Sequence, residues 1–141
     1  MEAYTTLLET YDFALKTNRR EEFIHITKKI KNLLKKTELN KGFVKIFCPH
    51  TTASVSIIQN ANPDVLRDIN EILKPLIPHK QQLNVEGNSD AHFKSALFGA
   101  SLDIPVENSE LLLGPWQGIF FCEFDGPRTR KVIVQFFGTI K

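Results

Sequence analysis

With 141 residues, 42% of them hydrophobic and 24% charged, the chain carries enough apolar side chain for one continuous core, and a disordered or low-complexity polymer is excluded. A formal charge of +2 is too small to argue for a nucleic-acid partner, although it helps attract phosphorylated ligands. No run of about 18 apolar residues is present to cross a membrane, and Glu2, Glu9 and Asp12 interrupt the stretch where a signal peptide needs its apolar core, so a single-domain cytoplasmic protein is expected.

Residues 4–16 are rich in Thr, Tyr, Phe and Leu without Gly or Pro and predict an opening strand. Over residues 21–36 Phe23, Ile26, Ile30, Leu33 and Leu34 recur three or four apart among lysines, which predicts an amphipathic helix with a solvated basic face. After Gly42, residues 43–48 and 53–59 read as two strands, so His50, Thr51 and Thr52 fall between them. Asn62, Pro63 and Asp64 form an N-cap, a first-turn proline and a first-turn acid; the helix they open ends at Pro75 and Pro78. A Gly turn at Gly87 and a Ser or Asp cap precede a short helix over residues 91–98, which ends at Gly99. Strands are expected at 101–106, 110–113, 117–124 and 130–138, with turn signals between them, as an antiparallel meander. Strands grouped around helices without βαβ alternation indicate an α+β fold. Cys48 and Cys122 sit in apolar runs without metal or redox spacing and read as buried free thiols.

Five ordered blocks carry a resemblance. They are Pro49-His50-Thr51-Thr52-Ala53-Ser54, Asn60-Ala61-Asn62-Pro63-Asp64-Val65, Glu86-Gly87-Asn88-Ser89-Asp90-Ala91-His92, Leu113-Gly114-Pro115-Trp116-Gln117-Gly118-Ile119, and the Asp125-Gly126-Pro127-Arg128 turn. At these blocks the sequence resembles the YjbQ family, also called UPF0047, from about residue 5 to residue 141. The resemblance implies a compact α+β domain with a mixed or largely antiparallel sheet and two or three helices, assembled as a homotrimer. It also implies a secondary thiamine-phosphate synthase activity, in which a pyrimidine diphosphate is joined to a thiazole phosphate with release of pyrophosphate. The expected partner is therefore a small phosphorylated heterocycle.

Under that resemblance His50 and His92 match the family's histidines and become active-site candidates, as zinc ligands or as proton shuttles. Glu86 matches a family acid and is a candidate to orient an imidazole or act as a base. Phosphate oxygens would find donors at Thr51, Thr52, Ser54, Asn60, Asn88 and Ser89, with charge from Arg128 or Arg130, near the helix starts at Asn62 and Ser89, and the Gln117 amide would bond the polar edge of a pyrimidine or thiazole ring. Asp64 and Asp68 share a helical face and either hold Mg²⁺ or face water, and water is favoured. Trp116 is expected in the core, and His25 and His79 at the surface.

The sequence departs from the family pattern at Gln59, where an acid is common, at Asn62, where Asp is common, and at Gln82 and Leu83, near which a further histidine is usual. A zinc site needs at least three protein ligands, and two histidines are offered. A family member that binds an anionic metabolite or a divalent metal without catalysis, and a metal-dependent hydrolase, remain open alternatives.

Overall fold

The computed structural model describes residues 4–80 and 82–140. In chain order the elements are β1 (Thr6–Lys16), β2 (Glu22–His25), α1 (Thr27–Lys36), β3 (Lys41–Phe47), β4 (Ala53–Gln59) and α2 (Pro63–Leu76), followed by α3 (Ser89–Phe98), β5 (Ser101–Glu107), β6 (Glu110–Leu111), β7 (Gln117–Glu123) and β8 (Thr129–Thr139). The strands form two antiparallel sheets, one of five in the order β1-β8-β3-β5-β6 and one of three in the order β2-β7-β4. Three helices with two antiparallel sheets make the expected α+β fold.

Strand alternation puts the core between the sheets. Val132, Val134 and Phe136 of β8 and Val44 and Ile46 of β3 meet Val55 of β4 and Ile119 and Phe121 of β7, and Ile30, Leu33 and Leu34 of α1 close the layer. The opposite face of the three-stranded sheet is also covered: Phe120, Cys122 and Phe124 pack with Ala91 of α3 and with Leu66 of α2. A strand covered on both faces loses polar alternation, which is why residues 117–124 read as one apolar run. Both thiols are free, and burial pushes the Cys48 pKa up to about 11 and that of Cys122 to about 12. Among the described residues no helix is long and apolar enough to cross a membrane.

Several expectations are corrected. The predicted helix over 21–36 is split: Phe23 and Ile24 pair with Cys122 and Phe121 as an edge strand, and helix begins only at Thr27. Helical spacing and a short β-compatible run coexist there, and β7 offers the latter a ladder. The predicted meander is broken by a change of sheet. β5 and β6 form a hairpin in the large sheet, β7 crosses to the small one, and β8 returns between β1 and β3. Strand β6 stops at Leu111, Pro75 lies inside the last turn of α2, and α3 starts at Ser89 rather than Ala91. Trp116 is 62% exposed and not in the core.

Candidate functional site

Three chain segments meet at one end of the sandwich: the β3–β4 loop, the loop and first turn of α3, and the β7–β8 turn with the start of β8. They enclose a cleft of about 340 Å³ that brings His50, Thr51, Thr52, Glu86, Asn88, His92 and Arg128 together, with Arg130 at its wall.

Alternation explains the wall. Glu123 shares the inward face of β7 with Ile119 and Phe121, and Arg130 shares that of β8 with Val132 and Val134, so two charged groups enter the end of the core. Arg130 donates from Nε to Glu123 Oε1 at 2.7 Å and from Nη2 to Glu123 Oε2 and Thr52 Oγ1, the last at 2.8 Å. The Thr17 hydroxyl and the backbone N–H groups of Phe124 and Asp125 complete the carboxylate's partners. Burial alone would raise the Glu123 pKa, but the Arg130 hydrogen bond and these donors outweigh it and hold the carboxyl below its usual range.

His50 continues a ladder that the backbone abandons. Strand β3 ends with Phe47 opposite Ile133, and one step on, the Lys131 N–H donates to His50 Nε2 at 3.0 Å. The Lys131 carbonyl oxygen lies 3.2 Å from the same nitrogen. An Nε2 that accepts leaves the ring proton on Nδ1. Burial, and then the nearby Arg130 charge, lower the His50 pKa, so the imidazole is neutral at neutral pH. His92 is exposed in the first turn of α3, and Glu86 is exposed at the mouth.

Asn88 is a clamp as much as a lining residue. Its Nδ2 donates to Asp125 Oδ2 at 2.8 Å, and its Oδ1 accepts from Asn84 at 2.6 Å. Asp125 also takes Arg128 Nη2 at 2.8 Å, while Arg128 Nε donates to the Asp125 carbonyl at 2.7 Å. These bonds hold the half-exposed guanidinium over the cleft and leave Nη1 unused by them. Behind this wall Arg20 grips the buried Asp90 with both Nη atoms at 3.1 and 3.2 Å.

Ser89 does not line the cleft, and its side chain does not cap α3; its N–H is taken by Gln82 Oε1 at 2.6 Å. Gln82 also donates to Asp90, so the departure at this position has a capping role. Asn62 does cap α2, accepting from Asp64 N at 3.0 Å. Gln59 Oε1 accepts from the Ala61 and Asn62 N–H groups, a task that needs an acceptor and no charge. Asp64 and Asp68 are exposed on α2, and Asp64 pairs with Arg67. Asn60 and Gln117 lie elsewhere, at the far end of β4, in a second cleft.

For a metal, the donor set does not fit. Among the described residues no three His, Cys, Asp or Glu side chains approach closely enough to hold an ion, and His50 Nε2 already accepts a backbone proton. Sequence reading missed Glu123 and Thr17. An acid inside an apolar strand, seven residues before an arginine at the head of another, was the available signal for the buried pair.

The family described as UPF0047 protein YjbQ-like matches residues 11–139. UPF0047 protein YugU of Bacillus subtilis is 45% identical over 126 residues, covering 88% of this chain and 96% of that protein. A UPF0047 protein of Methanocaldococcus jannaschii is 45% identical over 129 residues, 91% of this chain and 94% of its own length. Among solved structures, an uncharacterized YjbQ/UPF0047 protein of Clostridium acetobutylicum superposes with a TM-score of 0.84 at 46% identity, over 92% of this chain and 99% of that one. A protein of unknown function from Sulfolobus solfataricus reaches 0.90 at 27% identity, over 95% and 99%. The sequence blocks, the paired sheets and these matches agree, and the chain belongs to the YjbQ/UPF0047 family.

Proposed function

We propose that the His50–His92 cleft binds a small phosphorylated heterocycle and works as a thiamine-phosphate synthase-like transferase. One observation carries the reading: side chains from three separate segments converge with two guanidinium groups at a neutral imidazole. In the proposed step the thiazole nitrogen forms a bond to the pyrimidine's methylene carbon as the carbon–oxygen bond to diphosphate breaks, and pyrophosphate leaves with the electron pair. Arg128 Nη1 would meet the charge that develops on the leaving group, and Thr51 would supply a neutral donor. His92, whose ring forms no hydrogen bond with a described residue, would give pyrophosphate a proton.

A coupled assay for thiamine phosphate from the two substrates, on wild type and His92→Ala, tests this. Turnover that falls in the variant with the fold intact supports the transferase. Saturable pyrophosphate binding without turnover in wild type replaces it with the non-catalytic binding reading.

The homotrimer belongs to the same proposal. Leu8, Phe137 and Phe43 stand in one cross-strand row on the outer face of the large sheet and are 61%, 42% and 40% exposed, an apolar surface suited to a subunit contact. Light scattering should return three chain masses for the wild type and a lower mass for Phe43→Lys/Phe137→Lys.

A further inference from the structure

The sequence blocks at Asn60 and Gln117 are not used by the His50 cleft. They lie beyond the opposite end of β4, a seven-residue strand roughly 20 Å long at ~3.3 Å per residue. There a separate cleft of about 430 Å³ opens between α1 and the chain leading into β7.

Its polar lining is His25, Thr27, Lys28, Lys31, Asn60 and Gln117, without a carboxylate. Neither lysine forms an ion pair among the described residues, and the first turn of α1 contains no acid. The groove continues along α1 past Lys31, where Lys35 and Glu110 line its next stretch. Leu111, Leu113 and Pro115 supply an apolar wall.

The floor is built around a missing side chain. A Cβ at Gly118 would lie 2.8 Å from Asn60 Cβ and 2.9 Å from both His25 Nε2 and Phe120 Cε2, so glycine lets the amide and the imidazole converge across β7. His25 is fixed by stacking on Phe120, with centroids 4.7 Å apart, and by a 2.7 Å contact to Thr27 Oγ1. Backbone partners orient both amides. Gln117 Oε1 accepts from Gly114 N at 2.8 Å, which leaves its NH₂ free of that bond, and Asn60 Nδ2 spends one proton on the Gln117 carbonyl at 3.2 Å, which leaves the other. Two cations, two oriented amide donors and an apolar wall around one cavity match a phosphate monoester with an apolar body.

We propose that this cleft is a second ligand site, independent of the His50 cleft, for a small phosphate monoester whose head meets Lys28, Lys31, Asn60 and Gln117 and whose body lies on Leu113 and Pro115. The probe is phenyl phosphate, titrated into ¹⁵N-labelled protein alongside inorganic phosphate and phenol. Phenyl phosphate should shift the Gly114, Gln117 and Trp116 indole N–H signals saturably and bind more tightly than either fragment. Lys28→Ala/Lys31→Ala, two exposed positions that leave the fold intact, should weaken it about tenfold or more, the worth of one charge-assisted bond. Gly118→Ala should also weaken it, and His50→Ala should not. The proposal is overturned by the absence of saturable shifts, by unchanged affinity in the double lysine variant, or by shifts that centre on His92 and Arg128.

Discussion

Two arginine–carboxylate pairs stand at the same cleft and have different roles. Glu123 and Arg130 are 1% and 5% exposed and are bonded to each other, to Thr17 and Thr52, and to the Phe124 and Asp125 backbone N–H groups. Asp125 and Arg128 lie a few residues away in a turn, and the Arg128 side chain is half open to solvent. Depth makes the difference, because a buried charge must be matched by protein groups, whereas one at the rim keeps donors for a ligand. The inner pair therefore holds two strands and the β3–β4 loop together, and the outer pair aims a cation.

The largest expected effect breaks the inner pair. Glu123→Gln leaves Arg130 as an uncompensated buried cation, and urea denaturation should show a loss of about 3–5 kcal/mol. Replacing both, as Glu123→Leu/Arg130→Met, should cost clearly less than the sum of the single changes, because no orphaned charge remains. Near-additivity would mean that the two groups do not act as a unit.

Gly118→Ala comes next. The added methyl is forced against Asn60, His25 and Phe120, and overpacking of this kind costs about 1–3 kcal/mol, read in the same denaturation experiment.

His50→Gln should cost about 1 kcal/mol through the altered hydrogen bond at Lys131. It also alters the pH profile. The folded His50 pKa is lowered from 6.5, so its contribution is fully present above pH 6.5 and is lost as pH falls through the folded value. Glu123, Asp90 and Asp125, whose pKa values are also lowered in the fold, lose their contributions only as pH falls further, through the carboxylate range. Thermal melts between pH 7 and pH 3 should show both declines in wild type and only the lower one in His50→Gln.

Arg128→Ala should change stability least, by within about 1 kcal/mol, as expected for a half-exposed pair. Its effect belongs to binding: pyrophosphate affinity, measured by calorimetry, should fall about tenfold. A large stability loss with unchanged affinity would erase the distinction between the two pairs.

Much of the fold was legible in single segments. The strands at β3, β4, β5 and β8 and the helix opened by Asn62 and Pro63 follow from local spacing, caps and turn residues. The segment at 22–25 was not legible as strand, since Phe23 and Ile26 also fit a helical stripe; pairing with Cys122 and Phe121 decided it. Nor was the sheet change after β6 legible, because a turn signal marks where a chain reverses and not which ladder it joins next. At the site, motif resemblance put His50, Glu86, His92, Arg128, Asn60 and Gln117 in one set; in the structure the first four line one cleft, and Asn60 and Gln117 line another, one strand length away.

By itself the sequence determined the element types, the family blocks and the residues able to bind anions, because helix periodicity, capping and side-chain chemistry are local properties. Only the tertiary structure decided that Glu123 would be matched by Arg130, that His50 would accept the Lys131 N–H, and that the motif residues would separate into two clefts. Each of these depends on which strands become neighbours, and that is settled by burying the two sheets' apolar faces against each other across the whole chain.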